Sequence, residues 1–265
     1  MIKPKVTVIM GVLNAENRIL ESIKSIQNQT FKDWEFIICD DGSTDNTVSI
    51  LKEIAVKDKR IIIIENEKNL GLATTLNNCI DLAQGDYIAR MDDDDFSYED
   101  RFQIQVDFLE KNIEYDFVSS AIDSYDGEKV ISSKPLRCIR PKKEDFLWGN
   151  CFIHPATMFR TSKIKQVMGY RVAKETRRAE DYDLFMRMYS NGMKGYNIET
   201  PLLRYYINPL AMKKRKYRYR IDEMIVRYKG FKLLGLLPKG SAYIVKPLFV
   251  GIIPNKLLYT LKNRN

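Results

Sequence analysis

Arg90-Met91-Asp92-Asp93-Asp94-Asp95 sets four consecutive carboxylates directly after the apolar run Tyr87-Ile88-Ala89. In water at neutral pH all four ionise, and at this spacing they repel one another. A fold that keeps such a run in a cleft has a cation to share there, and for oxygen ligands that is a hard divalent ion. Asp92-x-Asp94 offers alternate carboxylates of one extended segment. That suits Mg2+ or Mn2+ that also takes phosphate oxygens and neutralises a leaving diphosphate. A solvated acidic turn is the competing reading. A second group, Asp40-Asp41-Gly42-Ser43-Thr44-Asp45, includes Asp41, which can accept hydrogen bonds from a base or a ribose. Gly71, at a helix start, lets backbone approach a ligand. In Arg177-Arg178-Ala179-Glu180-Asp181-Tyr182-Asp183, Glu180 and Asp181 open a helix, where acids are favoured by the dipole in any case. Asp181 is also a candidate general base, given an acceptor hydroxyl in reach. His154, the only histidine, stands beside Pro155 in an extended segment and is a candidate neighbour of metal or phosphate. Lys68, Arg90, Arg177 and Arg178 are candidate partners of a diphosphate.

The elements that must position these residues follow from hydrophobic periodicity. Val6 to Met10, Trp34 to Cys39, Ile61 to Ile64 and Tyr87 to Met91 read as strands. Between them run helices with inward faces Ile19/Ile23/Ile26, Val48/Leu51/Ile54/Ala55 and Leu72/Leu76/Ile80. Asn14 is the expected cap of the first, and Gly85 breaks the third. A helix carrying Phe102, Val106 and Leu109 follows, with Ser97-x-x-Asp100 resembling a capping box. Strand-helix alternation implies right-handed βαβ units and a parallel sheet, whose ligands sit beyond the carboxyl ends of the strands. Gly11 to Asn14, Asp40-Asp41 and Asp92 to Asp95 are such ends, so three polar groups distant in sequence converge on one rim. After residue 115 the pattern changes. Strands at Asp116 to Ile122 and Lys129 to Ser133 flank Asp126-Gly127, Cys151 to Phe159 is extended, Glu180 to Ser190 is helical, and Leu202 to Ile207 is a strand.

Length and composition support this layout. A chain of 265 residues, 45% hydrophobic, is ample for a buried core and unlike a disordered segment. The four cysteines show no CxxC or CxxH spacing, so a zinc site is not expected, and reduced thiols fit a cytoplasmic compartment. The apolar run after Met1 is too short for a signal peptide, and no run reaches the ~18 apolar residues of a membrane span.

Taken in order, the motifs resemble one family. They are Val6-Thr7-Val8-Ile9-Met10, Asn14-x-Glu16, Ser22-Ile23-x-Ser25-Ile26-x-Asn28-Gln29-Thr30, Asp40 to Asp45, Asn69-x-Gly71-Leu72-Ala73-x-x-Leu76-Asn77, Arg90-Met91-Asp92-x-Asp94-Asp95 and Glu180-Asp181. The chain resembles an inverting glycosyltransferase of family 2 over about residues 4 to 207. The resemblance implies the GT-A fold, with a Rossmann-like nucleotide-binding half and a mainly parallel central sheet. It implies a nucleotide-sugar donor, most often a UDP-sugar, and Mn2+ or Mg2+. Carried onto this sequence, it places Val12, Asn14, Glu16, Asp41, Asn69, Gly71, Arg90, Asp92 and Asp93 at the nucleotide. Asp94 is assigned first to the metal, and His154 with it. Asp181 becomes the base, with Glu180 and Arg178 near the acceptor or diphosphate. Many relatives have a small residue where Asp93 stands, which leaves its charge without an assigned role. A sugar nucleotidyltransferase is the first rival, but Gly11 to Arg18 lacks the glycine-rich loop expected there. A non-catalytic nucleotide- or sugar-binding module is the second, and the retained acids speak against it.

Residues 212 to 232 carry a net +7, nearly the whole excess of +8, with Tyr217, Tyr219, Tyr228 and Phe231 interleaved. Short apolar segments broken by proline follow. This suits an anionic membrane surface better than nucleic acid, for which the apolar segments serve no purpose. A solvated helix packed on the catalytic domain competes. The expected division is a catalytic domain over residues 1–208 and a basic extension over 209–265, peripheral at the inner face of the cell membrane. Its natural acceptor would be a glycan or a polyprenyl-diphosphate-linked saccharide, in cell-surface polysaccharide assembly.

Overall fold

The computed structural model describes residues 3–134, 136–207 and 217–252. The basic stretch just before residue 217 and the last thirteen residues lie outside them. β1 (Val6–Val12), β2 (Trp34–Asp40), β3 (Ile61–Glu65) and β4 (Tyr87–Arg90) pair in parallel in the order β3-β2-β1-β4. The crossovers are α1 (Ile19–Gln27), α2 (Thr47–Lys57) and α3 (Leu72–Leu82). Each reads as it did in the sequence, because apolar residues at helical spacing find a sheet face to bury against. β1, β2 and β4 are near-continuous apolar runs buried along their length, as strands covered on both faces should be, whereas β3 at the sheet edge is partly exposed.

The second half extends the same sheet. After β5 (Phe96–Ser97) and α4 (Arg101–Lys111) come β6 (Phe117–Tyr125), β7 (Val130–Lys134), β8 (Met158–Arg160), α5 (Thr161–Gln166), α6 (Glu180–Ser190) and β9 (Gly195–Tyr206). β8 sits antiparallel between β4 and β6, and the order runs on as β6-β9-β5 with β7 on β6. The last strand is longer than its sequence suggested and pairs in parallel with β6. One face packs α1, α2 and α4, with Ile23, Leu51 and Phe102 inside. The other packs α3, α5 and α6, with Leu76, Ile164 and Phe185 inside.

The acidic run leaves β4 and arrives at β5, four strand positions away along the sheet. The sheet curls so that this edge returns to α1. Three buried polar residues of α1 and its end, unexplained by an apolar face alone, make the junction. Ser22 Oγ donates to Asp95 O at 2.6 Å, Ser97 N donates to Ser25 Oγ at 3.0 Å, and Gln29 Nε2 donates to Tyr98 O at 2.7 Å. Two expected caps are corrected by these contacts. Ser97 lies in β5, where its hydroxyl accepts from Gln29, and Asp100 accepts from Thr30, so no capping box forms at α4. Asn14 does not cap α1, which starts at Ile19. Its backbone is left-handed (φ 50°) and its Oδ1 accepts from Thr44 N at 2.9 Å, joining the β1 and β2 exit loops.

Past residue 216, α7 (Arg218–Leu233) packs on α6, and α8 (Ser241–Ile252) packs on α7. Val226 and Phe231 are fully buried in the same core as α6. The described part of the C-terminal extension is thus built onto the sheet domain. α3 ends at Leu82 with Ala83 as its cap, before Gly85 is reached; Gly85 instead approaches β1 so closely that a Cβ there would sit 2.5 Å from Thr7 N. Gly85→Ala must move backbone, so we expect a loss of about 1–3 kcal/mol, read as a lower denaturant midpoint with an unchanged slope.

Candidate active site

The strand ends meet as the topology requires. Val12 pairs with Asp40 in the β1-β2 ladder, Asp41 N donates to Val12 O at 2.8 Å, and Met91 N donates to Ile9 O at 3.1 Å. Asp40 closes its own turn by accepting from Gly42 N and Ser43 N. Asp41, 5% exposed, takes Leu70 N at 2.7 Å and Asn66 Nδ2 at 3.0 Å on Oδ1, and Gly71 N at 2.9 Å on Oδ2. Its carboxylate therefore shapes the loop that carries Asn69 and Gly71. Gly71 holds φ 89°, which favours glycine, and a Cβ there would meet nothing within 4 Å. Asn69 is exposed on this rim. Glu16 turns instead to the start of α2, where Oε2 accepts from Asn46 N and Nδ2.

Carboxylate oxygens of Asp92, Asp94 and Asp95 lie within 4.8 Å of one another. The sequence leaves open which of Asp92 to Asp95 meets a metal, with Asp94 placed first, and Asp95 belongs to the group. Asp95 is buried, its Oδ1 accepts from Tyr206 N at 2.9 Å, and its Oδ2 has no hydrogen-bond partner among the described residues. Burial and the charges of Asp92 and Asp93 push Asp94 up to about 7. Burial, Asp92 and Asp94 raise Asp95 well above the carboxylate range. Protons are thus held where a divalent cation would serve better. Three hard oxygen donors, one of them orphaned, fit Mg2+ or Mn2+. Asp93, whose charge had no role, is paired bidentately with Arg18 at 2.8 and 3.2 Å. Arg18 also donates to Asn14 O and Leu13 O, so it ties the β1 exit loop to the acidic run.

Arg90 sits at the centre. It shares the sheet face of Ile88, two residues earlier, and is 1% exposed. It is ion-paired with Asp92, and its Nε makes no hydrogen bond among the described residues. Burial opposes its charge, but Asp92 and Asp95 hold the guanidinium protonated. Beneath it Arg101, fully buried, donates to Arg90 O at 2.8 Å and to Gln105 Oε1 at 3.0 Å. Burial lowers Arg101 to about 9, with Asp95 opposing. It buttresses the strand end from which the acids project.

The N-terminus of α6 faces the same arginine. Asp181 Oδ2 accepts from Asn150 Nδ2 at 2.7 Å and Oδ1 accepts from Tyr182 N at 2.7 Å. Burial raises the Asp181 carboxyl, while Tyr182 N, Asn150 and Arg90 pull it down. Glu180 is pushed up to about 8 by burial and by Asp181. Six carboxylates, Asp92 to Asp95 with Glu180 and Asp181, thus share two arginines, Arg90 and Arg18. Asn150 was missed in the sequence, because nothing in Trp148-Gly149-Asn150 is periodic.

His154 is not drawn into the carboxylate cluster. Its Nε2 is 2.6 Å from Tyr170 Oη. Burial, with Arg90 nearby, lowers its pKa well below the usual value, so it is a neutral imidazole in the wall of the site. Arg178 is exposed and lies over Tyr219 of α7, 5.7 Å from the ring centre. Arg177 and Lys68 are exposed.

The sequence pattern of the family described as Glycosyl transferase family 2 matches residues 7–168. A Bacillus subtilis protein named as glycosyltransferase EpsE is 40% identical over 257 residues, which is 95% of this chain and 90% of that protein. Among solved structures, S. aureus TarS 1-349 in complex with UDP-GlcNAc superposes with a TM-score of 0.73 at 17% identity, over 95% of this chain and 77% of that one. The mannosyltransferase PcManGT from Pyrobaculum calidifontis, in complex with GDP-Man and Mn2+, gives 0.65 at 17% identity, over 99% and 80%. At such identities the two structures speak for the fold, a curled and mostly parallel GT-A sheet.

Proposed function

The chain belongs to glycosyl transferase family 2, and we propose that it moves a sugar from a nucleoside-diphosphate sugar, a UDP-sugar in the first place, to an acceptor hydroxyl with inversion. The observation that carries this is the meeting of Asp181 and the acidic run around one buried arginine, Arg90. It supports a base and a diphosphate site lying side by side. Asp92, Asp94 and Asp95 would hold Mn2+ or Mg2+, which supplies positive charge against the departing diphosphate. Gly71 and the loop shaped by Asp41 leave open backbone for the nucleoside. Asp181 takes the acceptor proton, and the freed oxygen attacks the anomeric carbon opposite the diphosphate. Asn150 holds Oδ2, which fixes the direction in which the base presents its lone pairs. One displacement inverts the anomeric centre, so no nucleophilic side chain is required. The donors named for TarS and PcManGT support a nucleotide sugar and leave UDP and GDP as the first two to try.

The acceptor reading adds a membrane. The basic and apolar C-terminal helices support a peripheral position on an anionic bilayer, with a polyprenyl-linked saccharide or other glycan of cell-surface polysaccharide assembly as acceptor. The test is transfer from a panel of UDP-, GDP- and dTDP-sugars, with Mn2+, to lipid-linked saccharides in membrane extracts. The product's anomeric configuration is read by NMR. Inversion is expected; a retained configuration or pyrophosphate as the released product would overturn the proposal. Asn150→Ala is expected to lower kcat about 10- to 100-fold, since a hydrogen bond to a charged group contributes about 1.5–3 kcal/mol. Donor affinity, measured by calorimetry, should not move.

A further inference from the structure

We propose that α8 together with Trp148 forms the face that docks on an anionic phospholipid bilayer, which deepens the membrane part of the reading above. Trp148 is 58% exposed, and Phe249 and Val245 are 66% and 38% exposed. Val245 and Phe249 are four residues apart, as are Ala242 and Lys246, so the four share one solvent-facing arc of α8. Trp148 closes the edge of that arc. Its ring meets Tyr243 edge-on at 5.0 Å, and Lys246 Nζ lies 5.3 Å from its centre. An indole, a phenyl and a valine beside a lysine are what an interfacial helix presents to the headgroup boundary.

Charge selects an anionic occupant. After Glu223 the remaining 42 residues hold eight Lys or Arg and no carboxylate. Two of these cations are paired within the chain, buried Arg227 with Glu223 and exposed Lys229 with Glu175. Lys232, Lys239 and Lys246 have no acid near them in sequence. A nucleic acid would match the charge but leave Phe249 and Val245 in water.

The face is also connected to the reaction. Trp148 lies two residues before Asn150, which holds Asp181. Arg227 donates to Leu147 O at 3.1 Å and to Tyr243 O at 3.5 Å, fastening this loop to α8. Docking through α8 would therefore present the mouth beside Asp181 to the lipid surface, where a lipid-linked hydroxyl arrives.

The chain has two tryptophans, and the other, Trp34, is 2% exposed under Arg60. Acrylamide-quenchable emission therefore reports Trp148. With the full chain and phosphatidylglycerol vesicles, we expect co-sedimentation, a shift of emission to shorter wavelength and loss of quenching, all weaker with phosphatidylcholine. Val245→Ser with Phe249→Ser should lower partitioning about 10-fold or more, with the thermal midpoint in solution preserved. Trp148→Phe should abolish the shift and keep the co-sedimentation. Sedimentation with unchanged Trp148 emission, or insensitive to the double variant, overturns this face and leaves the membrane reading to other segments. Equal partition onto both lipids overturns the anionic partner. No sedimentation at all overturns face and membrane reading together, without touching the sugar-transfer site.

Discussion

Asp181→Asn is expected to lower kcat by about 100- to 10,000-fold, the range that a positioned general base contributes, with donor affinity in Mn2+ changed by less than about 2-fold. The asparagine keeps the shape and can still face Asn150, but it has no lone pair basic enough to take the acceptor proton. The predicted split follows from position. Asp181 opens α6 and touches Asn150 and its own helix, not the acidic run. Steady-state kinetics together with donor calorimetry would measure both numbers. Equal losses in turnover and donor binding would place Asp181 at the nucleotide rather than at the acceptor. Unchanged turnover would remove it from the reaction. Glu180→Gln is the internal comparison, since Glu180 shares the helix start and is half-buried.

Metal-free protein should lose thermal stability as pH rises from about 6.5 to 8, and Mn2+ should restore it. Asp94 is pushed up to about 7 by burial and by Asp92 and Asp93, and Glu180 to about 8 by burial and Asp181. Both values exceed those of the unfolded chain, near 4. A carboxyl raised in the folded state binds its proton more tightly there. Its contribution is complete below the unfolded value and is lost as pH rises through the folded one. The opposite sign belongs to Asp58 and Glu175, each held at about 2, Asp58 first by Arg60 and Glu175 first by Arg171. Their contribution is lost as pH falls from about 4 to 2, below the window in question; His154, lowered by burial and Arg90, works against the acids as pH rises to about 6.5 and is silent above it, so the acids are read above that value. Melting curves in EDTA and in Mn2+ from pH 4 to 8 separate the two. A cation competes with the same protons, so Mn2+ should stabilise above about pH 7 and do little below about pH 5. Asp94→Asn should flatten the EDTA profile and lose the Mn2+ effect. An EDTA profile that rises between about pH 6.5 and 8, above the unfolded value of His154, would mean that the acids are not crowded together in the folded protein.

The first half of the chain was legible because its elements are regular and its polar residues cluster at strand ends. Val6 to Met10 and Trp34 to Cys39 have one reading each, and parallel pairing then forces Asp41 and Asp92 to Asp95 onto one rim. What lies between elements was less legible. Ser22, Ser25 and Gln29 resembled a motif, but only the curl of the sheet explains why α1 buries three polar residues. Asp93 looked surplus because its partner, Arg18, is 75 positions away. Four identical aspartates hide which of them point together, so Asp95 emerged as a member of the cluster only from geometry. Asn150 and Tyr170 sit in aperiodic loops. His154 and Asn14 had plausible local roles that the tertiary structure reassigned, to Tyr170 and to Thr44. The C-terminal helices were read by charge, whereas Val226 and Phe231 were already apolar enough to announce packing.

Binding of a nucleoside diphosphate to the acidic run through a divalent ion can be read by isothermal calorimetry with UDP, GDP and dTDP. At pH 7.5 at least one of them should bind in Mn2+, and that binding should be lost in EDTA and in Asp94→Ala with Mn2+ present. Binding that is indifferent to metal and to Asp94, or none of the three bound in Mn2+, would contradict it.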